Sequence, residues 1–156
     1  MKLRLIALFV VLAAMVVSVN VAGAGRSGPP PQVTIVSPIT LADPFNFGTF
    51  TATGPAAESG LICSTGTVVD TFLIYKGYQS GKGYNVLVTK TFTCDDESGT
   101  FFVRLAAQSR NGTETFNWVV QGGTGSYASL RGRGDGSTVP TDDGGINTYT
   151  GFLTGK

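Results

Sequence analysis

From Phe116 to Gln121 the apolar residues Phe116, Trp118 and Val120 alternate with Asn117, Val119 and Gln121. A period of two is expected of a strand with one buried face. Just upstream, Asn111-Gly112 is a strong hairpin signal, because a type I′ turn needs positive φ at both central residues. A two-residue turn there fixes the register. Ala107 faces Phe116, Leu105 faces Trp118 and Val103 faces Val120 on one apolar face. The opposite face pairs Arg110 with Thr113, Gln108 with Thr115, Ala106 with Asn117 and Arg104 with Val119.

The same reading predicts strands over the rest of the chain. Val33 to Val36 is a short one, ended by Pro38. Asn46 to Thr53 carries Phe47, Thr49, Thr51 and Thr53 on one face and Phe50 on the other. Gly66 to Lys76 and Tyr84 to Thr93 are joined by a glycine-bearing turn over Gly77 to Gly83. Asp95 to Gly99 turns into Thr100 to Arg110, and Asp142-Asp143-Gly144-Gly145 separates Arg131–Val139 from Ile146–Leu153. No long stretch has helical periodicity. Short, evenly spaced strands with tight turns mean an all-β barrel or sandwich.

Gly123-Thr124-Gly125-Ser126-Tyr127-Ala128 follows a strand and matches a dinucleotide-binding fingerprint. That fingerprint works only where it opens a helix that receives a pyrophosphate. Here Arg131-Gly132-Arg133-Gly134 follows at once, a run no useful helix tolerates, so the glycines are read as a corner. Trp118-Val119-Val120, then Gly122 to Tyr127, then Leu130 to Gly134, resembles the signature of the allene oxide cyclase/dirigent barrel superfamily. The likeness spans about twenty residues and is nearest to small secreted bacterial members without an assigned activity. It implies a single antiparallel barrel of about eight strands around an apolar cavity, often a dimer or trimer. The family's enzymes guide cyclisation or radical coupling with cavity carboxylates and aromatics. Those residues lie outside the matching motif, so none is transferred to this chain.

The first residues change the picture of where the protein works. Lys2 and Arg4 precede an apolar run from Leu5 to Val19, and Ala22-Gly23-Ala24 offers small residues at cleavage positions. This reads as a secretory signal peptide over residues 1–24, too short in its apolar run for the roughly 20 residues of a spanning helix. Secretion, extracellular or periplasmic, is the expected localisation. Removing 24 residues from 156 leaves 132, one domain by size: a Pro/Gly-rich linker over 25–32, then the β domain over 33–156. Without Lys2 and Arg4, nine basic residues face ten acidic ones. Nothing in that balance attracts nucleic acid or an anionic membrane.

The candidate chemistry is sparse. Cys63 and Cys94 are the only cysteines, and in an exported protein they are expected to form a disulfide. Their midpoint falls in the turn at Tyr78–Gln79, which places them opposite each other at a hairpin's open end. There is no histidine, which excludes Ser-His-Asp and Cys-His catalysis and His-ligated zinc. The acidic turns at Asp95–Glu97 and Asp142-Asp143 read as solvated rather than as calcium sites, and no metal or cofactor is expected.

Asp70 is the one acidic residue inside a predicted strand core. It is expected to share a face with Val68, Phe72 and Ile74, opposite Leu87 by the disulfide register. A carboxylate on an apolar face is disfavoured in its charged form, the condition a general acid requires. Asp70 is thus the candidate catalytic residue, lining the cavity; the plainer alternatives are an exterior site or an ion pair with Lys90 or Arg104. Arg104, Tyr75 and Tyr84 are the candidate ligand-binding residues, Arg104 only if the polar hairpin face lines the barrel. Arg133-Gly134-Asp135 spells the integrin tripeptide, and Asn111-Gly112-Thr113 a glycosylation sequon already explained by its turn.

The expected function is a secreted barrel that binds a small apolar molecule or serves a structural role, possible enzymatic activity ranking below binding. The alternatives are a dirigent- or cyclase-like enzyme using a cavity carboxylate, and a surface or adhesion protein. A carboxylate and a cation converging on an open cavity would favour the enzyme, and a filled interior the structural role.

Overall fold

The computed structural model of the chain describes residues 28–76, 83–110 and 112–155. The segment expected to be a leader with its cleavage site, the tip of the turn around Tyr78–Gln79 and Asn111 lie outside the described residues. Eight strands form a closed antiparallel barrel in sequence order. They are β1 (Gln32–Thr40), β2 (Phe47–Thr53), β3 (Thr65–Lys76), β4 (Tyr84–Cys94), β5 (Thr100–Arg110), β6 (Thr113–Gly123), β7 (Arg131–Pro140) and β8 (Gly144–Thr154). β8 pairs with β1, so no edge is left open to another chain.

The central hairpin has the expected register. Ala107 pairs with Phe116, Leu105 with Trp118 and Val103 with Val120, and all six are buried. Trp118 is 2% exposed and its indole N–H donates to the Asp135 carbonyl at 3.0 Å. The glycines of β7 and β8 make room for these rings. A Cβ on Gly136 would stand 2.2 Å from the Phe116 ring, and one on Gly151 2.6 Å from the Trp118 indole. After β6 the glycine corner makes a single 3-10 turn, Gly125–Tyr127, and β7 begins at Arg131. With no helix there, the dinucleotide fingerprint has no structural counterpart.

Three expectations are corrected. β1 does not stop at Pro38: its ladder with β8 runs on to Thr40, while that with β2 skips Ser37 and Pro38 and resumes at Ile39. Proline lacks the N–H a ladder needs, so one partner strand gives way there and the other does not. The second correction concerns β3. A bulge between Asp70 and Phe72 switches the faces, so Val68 and Asp70 point inward and Phe72 and Ile74 outward. The third concerns register. Cys63 lies before β3, and Cys94 pairs with Gly66, which sets Asp70 opposite Lys90 rather than Leu87. The Cys63–Cys94 disulfide itself is formed, with Cα atoms 6.0 Å apart.

The two ends of the barrel differ. At one end a single helical turn, α1 (Pro55–Glu58), starts with proline at its first position and drives Ala56 inward. Ile62, the disulfide, Tyr127 and Leu130 complete a buried plug there. Above the plug the interior is packed with aromatic rings. Phe92 and Phe101 stack with centroids 4.8 Å apart, Phe50 meets Phe92 edge-on at 5.2 Å, and Tyr149 packs on Phe116 at 4.9 Å. The other end, where β1 passes to β2 and β7 to β8, is filled less completely by the described residues.

Candidate ligand-binding site

Toward the other end aliphatic and polar side chains intersperse with fewer rings, and a cavity of about 280 Å³ results. Its apolar wall includes Ile39, Leu73, Val86, Val88, Leu105 and Phe116. Its polar groups come from all round the barrel: Asn46 before β2, Asp70 on β3, Tyr84 and Lys90 on β4, Glu114 on β6, Thr138 on β7 and Asn147 on β8. Inward-facing alternation turns those that lie on strands into the interior, at levels from floor to mouth.

At the floor, Lys90 donates to Asp70 Oδ1 in an ion pair with both side chains nearly sealed, 3% and 2% exposed. Asn46 Nδ2 donates to Asp70 Oδ2 at 2.9 Å. Asn46 also accepts the Ala42 N–H at 3.2 Å, so it ties the β1–β2 connection to the floor. Both oxygens of Asp70 are thereby occupied, which is what two buried charges need to be tolerated at all.

Across the cavity, Glu114 has a different setting. Tyr84 donates to its Oε2 at 2.8 Å and Thr138 to its Oε1 at 2.6 Å. The Thr138 hydroxyl also lies 2.9 Å from Asn147 Oδ1, and Asn147 Nδ2 reaches the Tyr149 hydroxyl at 3.4 Å. A polar chain thus runs from the half-buried mouth down to the aromatic core. Burial, and then the hydrogen bond to Glu114, push the Tyr84 phenol up to about 12. Burial raises Tyr149 further still above an ordinary phenol. Ser37, buried on the inward face beside Asn147 in register, has no hydrogen-bond partner for its Oγ among the described residues.

Of the residues singled out from sequence, Asp70, Tyr75 and Tyr84 line this cavity. Asp70 meets Lys90, one of its two anticipated ion-pair partners, inside the barrel. Arg104 does not reach the cavity. It stands exposed on the outer face of β5 between Thr89 and Val119, with Gln108 and Asn117 on the same outer side, because alternation sends Leu105 inward. Glu114, Thr138 and Asn147 were not singled out, and Lys90 only as an alternative partner for Asp70. Glu114 is two residues before Phe116 on the same face, so extending the hairpin's alternation one step would have found it. Arg133 and Asp135 point outward from the middle of β7, and the Asp135 carboxylate accepts from Asn117. That tripeptide is strand, not a projecting loop. Among the described residues no three His, Cys, Asp or Glu side chains cluster as metal ligands, and no helix is long and apolar enough to cross a membrane.

No family of known proteins, no curated protein and no solved structure matches the chain. The reading of the site therefore rests on its own chemistry.

Proposed function

We propose that the protein is a secreted small-molecule-binding barrel that takes a compact, largely apolar ligand with one polar end through its mouth. The observation that carries this is the unequal filling of the interior: one half is plugged and packed with rings, the other holds a walled cavity with a few convergent polar groups. At about 280 Å³ it suits a single-ring molecule. Secretion is supported by the leader and by the disulfide, which oxidising compartments favour. Kinship with the allene oxide cyclase/dirigent superfamily is supported by the glycine-corner signature and by the eight-stranded closure. Self-association, which that kinship implies, has support in the exposed Phe47, Val69, Phe72 and Ile74 on the outer face of β2 and β3.

A second reading, a cyclase-like enzyme, draws on two carboxylates and a phenol in one cavity. Its acid–base group would be Glu114 with Tyr84, since Asp70 is spent on Lys90 and Asn46. Native mass spectrometry of protein purified from its own secretome tests the first reading. A bound small molecule of defined mass, released on denaturation, is the expected result. Protein that stays ligand-free and shows no melting shift against a library of single-ring compounds would remove the binding function.

A further inference from the structure

We propose that the cavity is selective for charge, accepting an apolar amine in its protonated form in preference to a neutral or anionic molecule of the same shape; this rests on the ligand-binding reading above. Among the described residues three charged side chains line the cavity: Asp70, Lys90 and Glu114. Asp70 and Lys90 neutralise each other in a sealed contact. Glu114 has no cation partner among the described residues, so their charges sum to one uncompensated negative charge in the cavity. Its carboxylate has about four acceptor positions, and the hydroxyls of Tyr84 and Thr138 use two of them. Both are neutral donors that hold the carboxylate in place without cancelling its charge.

The same cavity is walled by Leu105, Phe116 and Val86. An ammonium group there would donate to Glu114 while its apolar body covers the wall, and charge-assisted hydrogen bonds are roughly twice as strong as neutral ones. An anion would meet an unpaired carboxylate in a partly desolvated site, the kind of repulsion by which binding sites reject wrong partners.

Calorimetric titration with phenethylamine, phenethyl alcohol and hydrocinnamate, near neutral pH, tests the inference with three molecules that share a phenethyl body and differ in the charge of the polar end. The amine should bind at least about tenfold more tightly than the alcohol, and hydrocinnamate more weakly than either. Glu114→Gln, which removes the charge and keeps one of the two acceptor oxygens that Tyr84 and Thr138 use, should cost the amine more affinity than the alcohol and so narrow the gap between them. If the alcohol or hydrocinnamate binds as well as the amine, the charge preference is wrong and the cavity reading stands. If none of the three binds, both fall. The wild-type series decides the matter even if the variant does not fold.

Discussion

Asp70 and Lys90 leave water together, and neither would be tolerated there alone. Removing one partner strands a charge that is 97% or more covered, a loss of roughly 3–5 kcal/mol in comparable buried pairs, whereas replacing both by apolar side chains is often close to neutral. Asp70→Leu and Lys90→Met should each cost about 3–5 kcal/mol in urea unfolding, and the double variant less than either. Additive losses would mean that the two charges do not depend on each other. Tyr84 gives a second residue-scale expectation. Its phenol is raised from 10.0 to about 12, so the folded state holds the protonated form more tightly than the unfolded chain does. The stability this contributes is complete below pH 10 and is lost as pH rises toward 12. In an alkaline titration of tyrosinate absorbance, wild-type protein should show a late component near pH 12 that Tyr84→Phe lacks. Tyr84 ionising with an ordinary midpoint would show that Glu114 and burial do not act on it as described.

β3 shows how a single extra residue redistributes a strand between inside and outside. Asp70 pairs with Lys90 and Phe72 with Thr89, so Thr71 is the residue without a counterpart, its hydroxyl bonded to the Thr89 carbonyl at 3.2 Å. Deleting Thr71 leaves Asp70 inward, Phe72 outward and Leu73 inward, and the ladder becomes regular. That variant should fold, at a cost within the roughly 0.5–3 kcal/mol of ordinary single-site changes. Deleting Thr67 from the regular part should flip one side of the strand and abolish folding. Circular dichroism melts of the two deletions check this, and equal behaviour would contradict the assignment of the bulge. The bulge also marks the limit of what the sequence made legible. Strand positions, the β5–β6 register and the corner follow from alternation and turn chemistry, which are local. Phe72 and Ile74 were assigned to the wrong face because nothing local distinguishes a bulged strand from a straight one. Asp70 could be singled out as an oddity within β3, but its partner on β4 depended on a register set by Gly66 and Cys94. Glu114 passed as an ordinary polar residue near a turn, since its meaning comes from Tyr84 and Thr138, thirty and twenty-four residues away.

The barrel as a whole separates stability from recognition along its axis. The aromatic stack, α1 and the disulfide fasten one end, while the polar groups and the cavity occupy the other. The bridge joins the segment after α1 to the last residue of β4 across 31 positions of sequence. In the loop-entropy account, closing such a loop stabilises the fold by about 3–4 kcal/mol. For a domain of this size the paired change Cys63→Ala with Cys94→Ala should lower the melting temperature by on the order of 10 °C. Lys90 and the floor of the cavity stand between the bridge and the mouth on β4, and Phe92 between Lys90 and Cys94 is fully buried in the aromatic stack. That stack should hold the mouth in shape without the bridge. Below its melting range, the double-alanine protein should therefore bind phenethylamine with an affinity within about twofold of wild type, because the bridge acts mainly on the unfolded chain. A large fall in affinity at a temperature where the variant is still folded would show that the plug sets the geometry of the mouth, and that the two ends are one mechanical unit.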